Sequence, residues 1–244
     1  MVVGTQKKSV EGAKRQRMAP DERRARILDV AQNLFFSRGW EEVTIADVLS
    51  EAGISKGGFY HHFAAKEDLL DGVVERFTKE ALASAQAARD AKSGDALKRF
   101  NAFLAESSRW KAEHGPQMKF FIDVMLRPGN DVLFGRITAA ANAAAMPVLL
   151  EMITQGIDEG VFDVPDLGLV GETIMALSQG RRVVLEEALK AAEAGDLDQA
   201  AARLDRRMVA EGELIDRILG LPHGNVVLSN PTEYRLMMSA IAGT

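Results

Sequence analysis

Residues 44–66 of the 244-residue chain read TIADVLSEAGISKGGFYHHFAAK, a pattern typical of two short helices joined by a tight turn. Thr44 and Asp47 have the spacing of a capping box, which satisfies free N–H groups at the start of a helix. Gly53 can adopt the left-handed conformation that ends the first helix, and Ser55 can cap the second helix.

The second of these helices, KGGFYHHF, has an unusual composition for so short a segment. Its back is apolar through Phe59 and Phe63, whereas its front carries small residues and hydrogen-bond donors. Small residues allow close approach to a DNA major groove, and the donors can reach phosphates and base edges. The segment is therefore predicted to insert into DNA.

A longer run, from Ile27 to about Leu70, resembles the DNA-binding domain of the TetR family of bacterial repressors. The resemblance rests on an R-I-L…A…L-F…G-W opening helix, the turn T-I-x-D-V…A-G-I-S-x-G, and the exit F-Y-x-H-F-x-x-K-E-x-L-L. It implies an all-α protein of about nine helices, in which a three-helix helix-turn-helix domain precedes a larger helical domain for ligand binding and dimerisation.

The helical pattern and its breaks divide the chain into four parts. A linking helix over residues 66–91 is long enough to leave the DNA-binding domain and reach the body. In the last part we expect a short extended segment and, from Thr232, one or two helical turns. The predicted parts are a disordered basic arm (1–19), the DNA-binding domain (20–66), the effector-binding and dimerisation domain (67–221), and a C-terminal extension (222–244).

The charge distribution is consistent with DNA binding. The net charge is −5, yet residues 1–66 hold 11 Lys and Arg against 8 Asp and Glu, whereas residues 67–244 hold 19 against 27. A basic front on an acidic body suits a DNA-binding protein, although an uneven scatter of charge can also arise by chance.

The composition also bears on localisation. The chain has no cysteine, which excludes disulfides and fits a cytosolic protein. We find no apolar run of a signal peptide and no stretch of about 18 uncharged apolar residues. We therefore expect a cytoplasmic protein with no membrane partner.

The sequence contains no set of residues that indicates catalysis. A glycine-rich phosphate loop, GxSxG and HExxH are all missing. His61 and His62 are adjacent, so on a helix their side chains point about 100° apart and cannot bind one metal ion together. We predict no enzymatic activity, no metal site and no cofactor.

The resemblance assigns three residues to phosphate contacts, namely Thr44, Tyr60 and Lys66. Lys66 also stands at a helix start, where free N–H groups favour anions. Tyr60 has an alternative role as a half-buried core residue.

Other residues of the second helix would face the groove. Lys56 could donate to guanine O6 and N7. Gly58 departs from the small hydroxyl residue or alanine that is usual in the family. His62 could contact the DNA backbone or pack against the first helix. The groove-facing set is Lys56, Gly57, Gly58 and His61, and Ser55 and His62 complete the predicted DNA-binding site.

The body is expected to supply the partners of the DNA-binding domain. By resemblance, helices over about 166–193 and 196–221 pair with a second copy into a homodimer, and a pocket encloses an effector. The Phe, Met and Trp content of the body suits an apolar or aromatic effector. The predicted pocket residues are Trp110, His114, Gln117, Phe120, Phe121, Met125, Phe134, Asn142, Met146 and Met152.

These features together predict a TetR-type transcriptional regulator. We expect a repressor that binds a palindromic operator as a dimer and is released by a small molecule. Two alternatives stay open: an effector-independent activator, and a helical small-molecule-binding protein or enzyme whose DNA-binding head is vestigial.

Overall fold

The computed structural model describes residues 19–243, and every regular element among them is an α-helix. The all-α fold class is therefore confirmed. The predicted basic arm lies outside the described residues, except for Ala19. The helices are α1 (Pro20–Arg38), α2 (Ile45–Ala52), α3 (Lys56–Tyr60), α4 (Lys66–Ala91), α5 (Ala96–Glu113), α6 (Gly115–Leu126), α7 (Asp131–Asp158), α8 (Leu167–Gln179), α9 (Arg182–Glu193), α10 (Leu197–Ile218) and α11 (Pro231–Ala242).

Helices α1 to α3 form the N-terminal unit around a core that they share with the start of α4. Apolar residues at helical spacing on α1 meet Val48 of α2 and Phe59 of α3, which are both completely buried. Phe59 and Phe63 are buried, as the sequence predicted, and Trp40 is buried with them. A short helix such as α3 is therefore held in place by its apolar back.

Helix α4 connects the N-terminal unit to the body. Its first half packs on α1, where Gly72 approaches so closely that a Cβ atom would lie 2.6 Å from Leu28 Cδ2. The helix also packs on α5 and α7 of the body. One continuous helix of 26 residues thus contacts both parts of the protein, as the sequence predicted.

The body is built around α7, which contacts α4, α5, α6 and α8. Within residues 19–243, α7 is the one helix long and apolar enough to cross a membrane by length and composition, although we expected no such stretch. A single helix of this kind is weak evidence for a membrane span, because core helices of globular proteins pass the same test.

The single helix predicted over residues 166–193 is wrong. The chain forms α8 and α9 instead, with a turn at Gly180 and Arg181. Ser178 and Gly180, separated by Gln179, both weaken the helix here, and the Ser178 hydroxyl donates to the Met175 carbonyl at 2.7 Å. The turn lets Arg181 reach inward to the buried carboxylate of Glu211.

The C-terminal extension also differs from the prediction. Its helix α11 has 12 residues rather than one or two turns, and Asn230 caps it in place of Thr232. Tyr234, Met238 and Ile241 are buried against α6, α9 and α10. These two differences raise the number of helices from about nine to eleven in the described residues.

The loop before α11 is fixed to α10 and α5 by hydrogen bonds. The buried carboxylate of Asp216 accepts the N–H groups of Gly224 and Val226, each at 2.7 Å, and that of Asn225 at 3.2 Å. Asn101 of α5 donates to the Asn225 carbonyl and accepts the Val227 N–H. The extension is therefore part of the body.

Candidate nucleic-acid interface and internal cavity

The start of α2 has the capping box that the sequence predicted. Asp47 N–H donates to Thr44 Oγ1 at 3.2 Å, and Thr44 N–H donates to Asp47 Oδ2 at 2.8 Å. The Thr44 hydroxyl also donates to Asp47 Oδ2, at 2.6 Å. These hydrogen bonds from Thr44 lower the pKa of Asp47, which keeps the cap ionised.

Helix α3 presents a polar front that is open to solvent. Gly53 has φ +64°, and Ser55 Oγ accepts the Gly58 N–H at 3.2 Å, so both helix boundaries form as predicted. Lys56 and Gly57 are exposed, and a Cβ atom on Gly57 would meet nothing within 4 Å. Tyr60 is 47% exposed, so it is a surface residue, and its ring forms a T-shaped pair with the buried Phe59.

The two adjacent histidines occupy different environments. His61 is exposed at the end of α3, whereas His62 is half-buried and its Nε2 atom is enclosed without a hydrogen-bond partner. Burial lowers the pKa of His62, and the nearby charges of His61 and Arg23 lower it further. An enclosed Nε2 atom is consistent with packing inside the domain, one of the two predicted roles of His62.

Lys66 is directed into the protein. Its Nζ atom donates to the Trp40 carbonyl and lies 4.1 Å from the centroid of the Trp40 ring. Burial lowers the pKa of Lys66. The N–H groups of Ala64 and Ala65 donate to the Asp68 carboxylate at 2.7 and 3.1 Å, so the helix start is less open to an anion than the sequence suggested.

A cavity of 410 Å³ lies in the body between α4, α5, α6, α7, α8 and α9. Its walls are mainly apolar, and Phe77 and Trp110 contact each other there with ring centroids 4.7 Å apart. Half of the predicted pocket residues line it, namely Trp110, Phe121, Met125, Phe134 and Asn142.

The other predicted pocket residues lie elsewhere. His114 stacks on Trp110 with a centroid distance of 3.8 Å, and Phe120 packs between α1 and α6. Met146 lies against Gly171, and Met152 belongs to a separate buried cluster. Gln117 is half-buried on α6 and does not line the cavity.

The lining also includes two cations, Lys111 and Arg182, that were not among the predicted pocket residues. Arg182 is paired with Asp131 at 2.8 Å and Glu186 at 3.3 Å, and it lies over the Phe134 ring. For Lys111 Nζ, no hydrogen bond or ion pair is found with any described residue.

The described part of the chain contains no group of three or more His, Asp or Glu side chains placed to hold a metal ion. The polar groups at the surface of α3 and in the cavity lining are suited to hydrogen bonding and ion pairing.

Comparison with known proteins gives the context of this arrangement. Residues 27–73 match the family of bacterial regulatory proteins called the tetR family. The HTH-type transcriptional repressor KstR2 of Mycobacterium tuberculosis is 30% identical over 145 residues, which are 59% of this chain and 71% of that protein. The chain belongs to the TetR family. It is a TetR-family transcriptional regulator with an N-terminal helix-turn-helix, and its relatives include proteins named repressors.

Solved structures of TetR-family regulators share the fold. A regulator from Pectobacterium atrosepticum matches with a TM-score of 0.60 and 23% identity, over 85% of this chain and all of that one. RolR, solved in complex with resorcinol, matches with a TM-score of 0.53 and 21% identity, over 90% of this chain and 94% of that one. At these identities the likeness shows the fold.

The inward position of Lys111 in this TetR-family body could have been predicted from its spacing in the sequence. Lys111 stands four residues after Ser107 and seven after Leu104, so it shares the face of α5 that points into the core. A lysine in an apolar stripe indicates either an internal partner or a ligand. The position of Arg182 could not be predicted in this way, because the break before α9 was not predicted.

Proposed function

We propose that this TetR-family regulator is a repressor that binds a palindromic operator as a dimer and releases it when a small molecule enters the cavity. The observation that carries the proposal is α3, whose back is anchored by the buried Phe59 and whose front exposes Lys56, Gly57 and Tyr60. In this proposal residues 20–66 read DNA, and residues 67–221 hold the effector and the dimer surface.

The residues of α3 have distinct proposed roles. Lys56 donates to base edges, and Gly57 leaves room for close approach of the backbone to the groove. Tyr60 and Thr44 hold phosphates, and His61 contacts the groove from the end of the helix. Lys66 and His62 support the domain from within, because both side chains point at neighbouring protein atoms.

A single α3 reads too few bases for useful affinity, so the proposal includes a two-fold dimer on a two-fold operator. The helices expected at the dimer interface carry exposed apolar side chains. Leu169 on α8 is 59% exposed and Val209 on α10 is 41% exposed. Pairing with a second copy would bury them.

Helix α4 supplies a physical connection between cavity and DNA. Its residues Val74 and Phe77 line the cavity, and its start follows α3 by five residues. Arg136 of α7 donates to Asp68 at 2.8 Å and to Asp71 at 2.5 Å, which holds α7 against the start of α4. A ligand that separates α7 from α4 would therefore move α3.

The proposal is tested by fluorescence anisotropy of the protein with a labelled fragment of its own upstream region, at two salt concentrations and with aromatic and apolar compounds added. Tight binding that weakens steeply with salt and is abolished by one compound is expected. Binding that no compound changes would contradict effector release and leave DNA binding intact. Failure to bind this fragment would contradict autoregulation.

Two substitutions distinguish base reading from phosphate binding. Lys56→Ala is expected to reduce the preference for operator over random DNA about tenfold, because one good base contact is worth about 1–3 kcal/mol. Tyr60→Phe is expected to weaken both DNAs equally. Lys190→Ala, at an exposed lysine of α9, is the control. Equal weakening of both DNAs by Lys56→Ala would show that Lys56 is a phosphate contact.

A further inference from the structure

Lys111 lies in the middle of the body, at a wall shared by two cavities. One is the 410 Å³ cavity described above, and the other has a volume of 250 Å³ and lies towards α10 and α11. Lys111 lines both spaces, and much of its surface is accessible. The ammonium group is therefore available to a molecule inside the body.

No nearby carboxylate balances this charge. Glu211 accepts hydrogen bonds from both Arg181 and Arg207, so one buried carboxylate serves two guanidinium groups. Arg181 also lies close enough to lower the pKa of Lys111, after the larger effect of burial. Glu211 is therefore engaged by two other cations and forms no pair with Lys111.

The remaining acidic groups near the cavities form no pair with Lys111 either. Glu186 and Asp131 are paired with Arg182. Glu233 of α11 lines the smaller cavity, where its Oε2 atom is buried without a hydrogen-bond partner and makes no ion pair with Lys111. The described lining of the larger cavity includes no Asp or Glu at all. A lone ammonium in such surroundings is unfavourable, and an anionic ligand would offset that cost.

We propose that the effector is an amphipathic anion, whose carboxylate-sized head binds Lys111 and whose apolar part fills the space between Phe77, Trp110 and Phe121. This inference rests on the proposed function and defines the chemical class of its effector. The volume of the larger cavity falls in the range typical of small-molecule sites, about 300–1,000 Å³. Ser107, which also lines both cavities beside Lys111, can donate a second hydrogen bond to the head group.

The structure also predicts how binding depends on pH. Burial lowers the pKa of Lys111 to about 8, and a bound anion would raise it again. Affinity for an anion is therefore fully present below pH 8 and falls as the pH rises above 8. Burial raises the pKa of Tyr234 to about 12, outside this window. The other titratable groups around the two cavities are Arg181, Arg182, Arg207, Glu186, Glu211, Glu233 and His114.

The test compares matched probes by isothermal titration calorimetry on the full chain. The probes are octanoate against 1-octanol, and 4-phenylbutyrate against 4-phenyl-1-butanol, so that each pair differs mainly in charge. In the unchanged protein the carboxylates are expected to bind at least about tenfold more tightly than the alcohols, since a hydrogen bond to a charged group is worth about 1.5–3 kcal/mol.

Three variants assign the effect to Lys111. Lys111→Met is expected to abolish the advantage of the carboxylates, and Lys111→Arg is expected to retain it. Lys190→Met, at a lysine exposed on α9, should leave both affinities unchanged. Between pH 7.5 and 9.5 the affinity for octanoate is expected to fall in the unchanged protein and to stay constant in Lys111→Arg, because arginine remains charged.

The possible outcomes separate this inference from the proposed function. Equal binding of carboxylates and alcohols, or an advantage that survives in Lys111→Met, would overturn the anion site. Binding of no probe at all would overturn it as well. Carboxylate binding that depends on Lys111 but leaves operator affinity unchanged would support the anion site and contradict effector release.

Discussion

Lys66 was predicted to contact a phosphate, but its side chain makes a contact within the protein. Its position at the start of α4 is typical of a phosphate contact, yet its ammonium is engaged by the Trp40 carbonyl and ring. This contact joins α4 to the loop between α1 and α2 across 26 residues of sequence. The contact should therefore contribute to the stability of the DNA-binding domain.

Removing this ammonium should destabilise the protein. Lys66→Met is expected to lower the free energy of unfolding by about 1 kcal/mol, because the Trp40 carbonyl loses its partner. Lys56→Met, at an exposed lysine on the neighbouring helix, should change it by less than about 0.5 kcal/mol. Urea unfolding followed by circular dichroism measures both. Unchanged stability together with weaker DNA binding would instead make Lys66 a phosphate ligand.

At this scale the sequence predicts contacts between residues close in the chain. The Thr44–Asp47 capping box, the left-handed Gly53 and the Ser55 cap depend on residues three or fewer positions apart, so their chemistry is visible in the sequence. The Lys66–Trp40 contact and the unpaired state of Lys111 depend on how distant helices pack. These features could not be derived from local pattern.

At the scale of elements, the loop before α11 depends on a close approach to α10. Gly212 lies under the Val226 carbonyl, and a Cβ atom on Gly212 would be 2.8 Å from that oxygen. Since the obstacle is backbone, a larger side chain could be accommodated only by moving the loop. One turn further along α10, Asp216 holds the same loop.

A pair of glycine substitutions measures this contact. Gly212→Ala is expected to lower the free energy of unfolding by about 1–3 kcal/mol, because the loop must shift or strain. Gly135→Ala, at a helical glycine of α7 with nothing within 4 Å, should raise it by about 0.5–1 kcal/mol. Urea unfolding midpoints give both values. Stabilisation by Gly212→Ala would show that the loop is not held against α10.

The elements differ in how well the sequence predicts them. The long helix α4, which has an apolar stripe and a clear break after it, was predicted with its observed limits. The break between α8 and α9 was missed, because it is stabilised by the distant Glu211. The length of α11 was missed because its burial depends on surfaces of α6 and α9 that only the folded body provides.

At the scale of the whole molecule, the exposed apolar residues of α8 and α10 bear on assembly. Val209→Glu is expected to convert the proposed dimer to a monomer, because it would place two charges in the proposed two-fold interface. Val132→Glu, at a 75% exposed valine on α7, should leave the dimer intact. Light scattering after size-exclusion chromatography measures the mass. A dimeric Val209→Glu protein would exclude this part of α10 from the interface.

The family could be predicted from the motifs of residues 27–70. The residues that line the cavity could be predicted only in part. Aromatic and Met residues indicate an apolar interior, but the six helices that enclose the cavity decide which of them face it. Trp110 faces the cavity, whereas Phe120 fills the junction with α1.

The hydrogen bonds between α5 and the loop before α11 also determine the order of folding during synthesis. Asn101 emerges from the ribosome 124 residues before Asn225, its partner. Contacts at such separations form late, because closing a long loop costs entropy. A nascent chain that has not yet reached residue 224 lacks partners for Asn101 and Asp216 and leaves the α6 surface around Ile122 uncovered. The body therefore matures after translation of α11, and interrupted chains expose apolar surface that chaperones and proteases recognise.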